Sequence, residues 1–254
     1  MKKLTLSVLA LATVASITSC KKGEEDPTLS LTSRKSRFAG EWKLDTQDMT
    51  STTKGTDPQG TSVSVSKYTW TATTTKEENS YTGAGSSVTT TTTKEGTVTT
   101  NAYSIKKDGT WSSTKLFTLK STSNNGNTVK ETTYDIKETG TWNFLGKNDP
   151  NTKNKEQVAL STLTKNTIET ELKTNTFGGQ SFKETDVQTN AVSYAKGQAS
   201  GVWTLLRLAN KEMKIVTDIN MNGTYSNSNT SGSMTTTSSV TSSTVSTGTM
   251  TLKQ

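Results

Sequence analysis

Apolar and polar residues alternate with a two-residue period in many segments of this chain. Successive side chains of a β-strand point to opposite faces, so this alternation predicts strands with one buried face. Such segments are Val63–Ala72, Val98–Ile105, Trp111–Leu119, Val129–Ile136, Trp142–Phe144, Val158–Leu163, Thr167–Leu172, Val202–Leu208 and Met213–Ile219. Together with a strand beginning near Trp42, they predict an all-β antiparallel meander of about 8–10 strands.

A glycine stands two residues before a tryptophan at four places in the chain. These are Gly40-Glu41-Trp42, Gly109-Thr110-Trp111, Gly140-Thr141-Trp142 and Gly201-Val202-Trp203. Glycine tolerates positive φ, so we expect a turn at each glycine and a strand whose tryptophan enters the core. Asp108-Gly109 is also a hairpin-turn signal. The irregular spacing favours recurring turns in a meander over a solenoid repeat.

One strand has apolar residues on both faces. Val63 and Val65 share one face, whereas Tyr68, Trp70 and Ala72 share the other. A β-bulge or a change of buried face would reconcile the two sets.

Three segments are low in complexity and rich in threonine and serine: Thr73–Thr75, Ser86–Thr100 and Thr224–Thr251. Such composition fits a flexible linker or tail. The alternative is a strand of alternating threonines that faces solvent. We expect loose order in Ser226–Ser239 and an edge strand in the last dozen residues.

The composition supports sheet rather than helix. Threonine makes up more than a fifth of the residues, and only 28% of residues are hydrophobic. Threonine is β-branched and suits a pleated surface. The five tryptophans and six tyrosines favour a packed core over disorder.

Several kinds of chemistry lack their usual residues. The chain has no histidine and a single cysteine, which excludes Ser-His and Cys-His pairs and multi-thiolate metal sites. Glu169 and Glu171 could share one strand face, but a solvated pair is the favoured interpretation. We therefore expect no catalytic residues, no metal and no cofactor. The net charge of +7 is carried by dispersed lysines, which argues against nucleic-acid binding.

The N-terminus has the pattern of a secretion signal. Lys2 and Lys3 precede the apolar stretch Leu4–Ile17, which is too short to span a bilayer that needs about 20 helical residues. The following Ile17-Thr18-Ser19-Cys20 resembles the bacterial lipobox. That resemblance implies that Cys20 becomes the first residue, carries diacylglycerol on its thiol and is acylated on its amine. A membrane partner through this lipid anchor is expected.

The predicted organisation has three parts. Residues 1–19 form a cleaved signal peptide, residues 20–37 a tether, and residues 38–254 one domain. The acidic cluster at residues 24–26 resembles the surface-export signal of Bacteroidetes-type lipoproteins, with a solvated tether as the alternative. We expect the outer rather than the inner membrane, and a short helix within Leu29–Arg37.

The domain resembles the lipocalin-like domains of Bacteroidetes-type lipoproteins. The resemblance rests on four short stretches: Phe38-Ala39-Gly40-Glu41-Trp42-Lys43-Leu44, Lys106-Lys107-Asp108-Gly109-Thr110-Trp111, Gly140-Thr141-Trp142, and Gly201–Leu208 followed by Met213-Lys214-Ile215-Val216. It implies a sheet closed into a barrel with room for side chains or one small ligand.

The resemblance also implies a structural pair at the closed end of the barrel. There Trp42 would pack beneath Arg207, with an exposed Arg207 as the alternative. The implied function is binding of a small apolar or amphipathic ligand. The alternative is a structural or adhesive surface protein with a filled barrel, and a carbohydrate-binding module is a third, weaker hypothesis.

Overall fold

The structure is a computed structural model that describes residues 33–57, 60–123, 126–145, 156–231 and 234–254, with backbone only for residue 57 and for the described residues between 218 and 241. The predicted signal peptide, Cys20 and the acidic cluster lie outside the described residues.

The described chain consists of one short helix and eleven strands. They are α1 (Arg34–Phe38), β1 (Gly40–Asp57), β2 (Gly60–Thr71), β3 (Thr74–Thr82), β4 (Thr89–Ile105), β5 (Thr110–Ser123), β6 (Thr128–Phe144), β7 (Glu156–Phe177), β8 (Gln180–Ser193), β9 (Ala199–Leu208), β10 (Glu212–Ser231) and β11 (Met234–Lys253). The predicted pairs Val129–Ile136 with Trp142–Phe144 and Val158–Leu163 with Thr167–Leu172 are single long strands, β6 and β7.

The strands form one antiparallel sheet that closes on itself. Their order is β6-β5-β4-β3-β2-β1-β11-β10-β9-β7-β8, and β6 also pairs with β7. Ten strands therefore make a closed barrel, while β8 lies outside it and pairs with the second half of β7. This confirms the predicted all-β antiparallel barrel, whose architecture is consistent with a lipocalin-like fold.

The barrel has two different ends. At the end of the barrel where β1 starts, Gly40–Lys43 of β1 pairs directly with Ala102–Ile105 of β4, so eight strands complete the ring there. We call this region the closed end. Beyond it, β2 and β3 lie between β1 and β4, and β8 replaces β9 as the partner of β7. We call this region the distal half.

The main hydrophobic core fills the closed end. Its fully buried members include Trp42, Phe38, Leu205, Leu208, Met213, Ile215, Leu252 and Val158. Burying a large apolar side chain contributes about 1.5–3 kcal/mol, so this cluster is the principal source of stability.

Helix α1 plugs the closed end. Its N-cap is Ser33, whose hydroxyl accepts a hydrogen bond from the Ser36 amide. The Phe38 ring lies 4.7 Å from the Trp142 ring, centroid to centroid. The expected short helix is present at residues 34–38, and it packs on the barrel at the end of the segment predicted as tether.

Of the two explanations offered for the strand with apolar residues on both faces, the β-bulge near Trp70 is absent. The β1–β2 register runs unbroken from Asp57↔Gly60 to Thr46↔Thr71. Trp70 packs against the inner hydrophobic clusters, so Val63 and Val65 lie on the outer face. The valines on that face suit a pleated surface without being core residues.

The low-complexity segments are largely strands, and the predicted edge strand at the C-terminus is wrong. β4 begins at Thr89, and β11 lies between β10 and β1 with Leu252 fully buried. Apart from the two residues that the structure does not describe, the Ser226–Ser239 segment belongs to β10 and β11. Closure of the barrel gives β11 a partner on each side, which is why a polar strand can lie inside the sheet.

Three of the four glycines before tryptophan do not serve the predicted turns. Gly109 has φ of 94° and occupies the β4–β5 turn as expected. Gly40 is close to extended, and Gly140 lies within β6, where an added Cβ would collide with the Ser161 carbonyl oxygen and the Trp111 ring. Gly201 lies within β9 with open space beside it.

Candidate functional site

The structure places the predicted pair Trp42 and Arg207 in different surroundings. Trp42 is fully buried in the closed-end core, and its indole N–H donates to the Phe38 carbonyl oxygen over 2.9 Å. The Arg207 side chain is 39% exposed, and its Nε lies 3.0 Å from Glu212 Oε1. Among the described contacts, none joins Arg207 to Trp42.

Arg37 is the buried arginine at the closed end. Its guanidinium donates to the Leu208 carbonyl oxygen and so ties α1 to the end of β9. Arg34, on the same helix, forms an ion pair with Glu156 at the start of β7. Both contacts hold the plug in place, and they are structural.

The inner face can be followed strand by strand from the core into the distal half. Trp111 belongs to the main core, and the β5–β6 register has no irregularity from Thr110↔Thr141 to Ser123↔Thr128. Alternation therefore puts Lys115 and Phe117 on the inner face. Cross-strand partners share a face, which adds Tyr134 of β6 and Glu169 of β7.

A layer of charged side chains lies directly above the main core. Glu138 accepts a hydrogen bond from the Ser113 hydroxyl at 3.2 Å. Its carboxylate oxygens lie 3.7 Å from Lys115 Nζ and 3.8 Å from Lys165 Nζ. One carboxylate thus faces two ammonium groups, and the layer carries an excess positive charge. We call Lys115, Glu138 and Lys165 the inner charged layer.

The neighbours of Lys115 favour its charged form. The Nζ atom lies 5.7 Å from the centroid of the Tyr103 ring. The Tyr103 hydroxyl and then the Glu138 carboxylate raise the pKa of Lys115, against the opposing effect of burial. Asn101, opposite Lys115 in the register, is buried, and its carbonyl oxygen has no hydrogen-bond partner among the described residues. Such an oxygen can accept a hydrogen bond from a bound molecule or water.

Three aromatic rings form a second cluster in the distal half. The Trp70 ring meets the Phe117 ring edge-on at 4.6 Å, and the Tyr134 ring stacks on Phe117 at 4.9 Å. Phe117 is buried together with Val98 and Leu119. We call Trp70, Phe117 and Tyr134 the aromatic cluster.

Carboxylates and lysines line the wall around the aromatic cluster. Glu171 lies 2.9 Å from Lys130 Nζ, and Glu77 lies 3.8 Å from Lys94 Nζ. Glu169 and Glu171 share the inner face of β7, as their spacing allowed. Burial, followed by the Glu169 and Glu77 carboxylates, raises the pKa of Tyr134.

The inner face of the distal half stays accessible to solvent. The Lys115 side chain is 27% exposed and Glu171 is 31% exposed, although both point inward. The closed-end core, in contrast, contains eight residues with less than 2% exposure. The distal half therefore offers an aromatic surface and charged groups that a small molecule could contact together.

Sequence reasoning missed the inner charged layer. The signal was present in Trp111-Ser112-Ser113-Thr114-Lys115-Leu116-Phe117, where the lysine has the same parity as the tryptophan and the phenylalanine. A lysine on an aromatic strand face indicates either a buried ion pair or a ligand contact.

Two other features are absent from the part of the chain that the structure describes. The described ranges contain no group of three His, Cys, Asp or Glu residues arranged to hold a metal ion. They also contain no helix with the length and apolar character needed to cross a membrane. No family model matches the chain, and comparisons with curated proteins and with solved structures found no similar protein.

Proposed function

We propose that this protein is a lipid-anchored binding module of the bacterial cell envelope, of the lipocalin-like type, which holds a small amphipathic ligand in the distal half of its barrel. The observation that carries the proposal is the aromatic cluster of Trp70, Phe117 and Tyr134, which lies inside the ring among inward-pointing charges that solvent still reaches. Ligand pockets combine apolar surface with a few polar groups in this way.

The arrangement favours an amphipathic ligand over a purely apolar one. An apolar chain would lie against the aromatic cluster, whereas a polar end would reach the inner charged layer. There the two lysines facing one carboxylate would attract an anionic group, and the Asn101 carbonyl oxygen would accept a hydrogen bond.

The proposed envelope location rests on the N-terminal sequence. The lipobox-like Ile17-Thr18-Ser19-Cys20 follows a signal-type stretch, and the acidic cluster after it favours export to the outer membrane. Multiple acyl chains would hold the protein firmly, since each buried CH₂ contributes about 0.8 kcal/mol.

Native mass spectrometry tests the binding proposal. The protein is extracted from membranes in mild detergent, and we expect a bound species in addition to the lipidated chain. A clean apo mass would instead support the alternative, a structural or adhesive surface protein with no ligand.

A matched pair of variants locates the ligand. Thr132 lies on the inner face between Leu119 and Glu171, whereas Thr133 lies on the outer face. Thr132→Trp should fill the site and abolish the co-purified mass, while Thr133→Trp should retain it. Equal retention in both variants would exclude the distal half as the binding site.

The anchor has a separate test. Cys20→Ala should abolish labelling by radioactive palmitate and release the protein from membranes. Retained labelling would show that the lipid is attached elsewhere or that the lipobox assignment is incorrect.

A further inference from the structure

Three of the hairpins at the distal end of the barrel share an unusual distribution of charge. Because neighbouring strands run in opposite directions, the last residue of β1, Asp57, lies at the same end of the barrel as the β3–β4, β5–β6 and β7–β8 connections. The last two are joined by a hydrogen bond from the Thr176 amide to the Asn127 carbonyl oxygen at 2.7 Å.

These hairpin ends contain no charged residue. The uncharged stretches are residues 79–93, 121–129 and 174–182. The nearest charged residues on both sides of the second stretch are lysines, Lys120 and Lys130, and the third stretch is likewise flanked by Lys173 and Lys183. We call the described residues of these stretches, 79–93, 121–123, 126–129 and 174–182, the distal rim.

The distal rim also exposes large apolar side chains. Phe177 is 85% exposed and Phe182 is 59% exposed. By the β7–β8 register, Asn175 opposes Phe182 and Phe177 opposes Gln180, so the two phenylalanines share one face of the hairpin tip. Val88 and Tyr81 are exposed on the β3–β4 hairpin.

We propose that the distal rim docks on the surface of a lipid bilayer. Apolar and aromatic side chains enter the interface favourably, whereas charged residues are costly to insert, and the rim has the first kind without the second. Lysines just behind the tips suit anionic headgroups. Phenylalanine and valine lack the polar atoms that a carbohydrate surface would engage, so the bilayer is the occupant that these side chains favour.

Docking in this orientation is independent of the proposed ligand. If both proposals hold, the distal half would open toward the lipid, and an amphipathic molecule could pass between bilayer and barrel without crossing water.

Quenching by brominated lipids tests the orientation in the full chain. Phe177→Trp introduces a reporter at the rim, and Val202→Trp introduces one at an exposed position of β9 near the closed end. On vesicles of phosphatidylcholine and phosphatidylglycerol with brominated acyl chains, we expect quenching of the Phe177→Trp reporter only. Equal quenching of the two reporters, or none at Phe177→Trp, would overturn the proposal.

Sedimentation with vesicles measures membrane partitioning in a second way. All variants are made in the Cys20→Ala chain, so that any binding through the N-terminal segment is the same in each of them. The double variant Phe177→Ser/Phe182→Ser should weaken partitioning roughly tenfold, since two interfacial side chains are lost. Val187→Ser/Val202→Ser removes two exposed apolar groups away from the rim and should have little effect. Equal partitioning of the two double variants would contradict membrane docking, whatever the outcome of the ligand experiments.

Discussion

Single residues at the closed end are fixed by space. Gly140 faces the Ser161 carbonyl oxygen and the Trp111 indole so closely that no Cβ fits. Backbone cannot yield in the way that a flexible side chain can, so a methyl group there must push β6 and β7 apart. The requirement for glycine at this position is therefore one of volume.

We predict that Gly140→Ala lowers the free energy of unfolding by about 1–3 kcal/mol, the usual cost of overpacking. Urea denaturation followed by tryptophan fluorescence measures it. Gly201→Ala is the matched control, because it also precedes a tryptophan by two residues but has open space beside it. A loss in Gly201→Ala as large as that in Gly140→Ala would contradict the steric explanation.

A second prediction at the residue scale concerns the effect of Tyr134 on stability at alkaline pH. Its pKa is raised in the folded protein by burial and by the carboxylates of Glu169 and Glu77. The stability contributed by the protonated phenol is fully present below the unfolded pKa of about 10 and is lost as pH rises through the folded pKa. Tyr134→Phe should therefore reduce the alkaline loss of stability.

Equilibrium unfolding at several pH values around and above the unfolded pKa measures this effect. Tyr81→Phe removes an exposed phenol of β3 outside the aromatic cluster and is the control. An unchanged alkaline slope in Tyr134→Phe would show that neither burial nor the carboxylates raise the pKa of Tyr134 in the folded protein.

Residue patterns in the sequence predicted which side chains are buried better than they predicted which side chains are in contact. Trp42, Trp111 and Trp142 are in the core as expected. The partner of Trp42 was taken from resemblance, and the structure pairs Arg207 with Glu212 instead. Alternation reports which face a side chain occupies, but it cannot report which distant strand lies across the barrel from it.

At the scale of elements, β8 and β11 are two polar strands with different surroundings. β11 lies between β10 and β1, so each of its amides bonds to one neighbour or the other. β8 pairs only with β7 among the described strands. Gly178 and Gly179, with φ of 58° and 80°, form the tight β7–β8 turn, and Phe177 and Gln180 are then a hydrogen-bonded pair.

This difference predicts opposite responses to proline. The Gln180 amide points toward β7, and amides along β8 alternate in direction, so the Val187 amide points away from β7. Val187→Pro should therefore lower the free energy of unfolding only slightly. Val245→Pro removes a ladder hydrogen bond inside the sheet and should cost about 3 kcal/mol or more. Both valines are exposed, so thermal unfolding compares backbone effects alone; equal losses would mean that β8 is paired on both edges.

Threonine-rich elements show why the sequence left two interpretations open. The outer face holds cross-strand hydroxyl pairs such as Thr118 with Thr133, 3.0 Å apart, and Thr139 with Thr164, 2.6 Å apart. Paired threonines stabilise a sheet without apolar contrast between its faces. A periodicity analysis that depends on that contrast cannot separate such a strand from a linker.

At the scale of the whole molecule, closure depends on pairings that are remote in sequence. β1 pairs with both β4 and β11, and β6 pairs with β7 across residues 146–155, which lie outside the described ranges. The fold class could be predicted from alternation and turn signals. The position of β8 outside the ring could not be predicted from the sequence. It depends on the length of β7, which pairs with β9 along its first half and with β8 along its second half.

The same long strands should make the barrel unfold as one unit. β7 runs from Val158 in the main core to Glu171 beside Lys130 in the distal half, so loss of the closed-end core removes support from both regions.

Leu205→Ala, at a fully buried position of β9, should lower the free energy of unfolding by about 2–5 kcal/mol. A fluorophore on Thr132→Cys in the distal half should report the same shifted midpoint as the intrinsic tryptophans. Val202→Ala, exposed on the same strand, should shift neither signal; a distal transition that stays in place in Leu205→Ala would show that the two halves unfold separately.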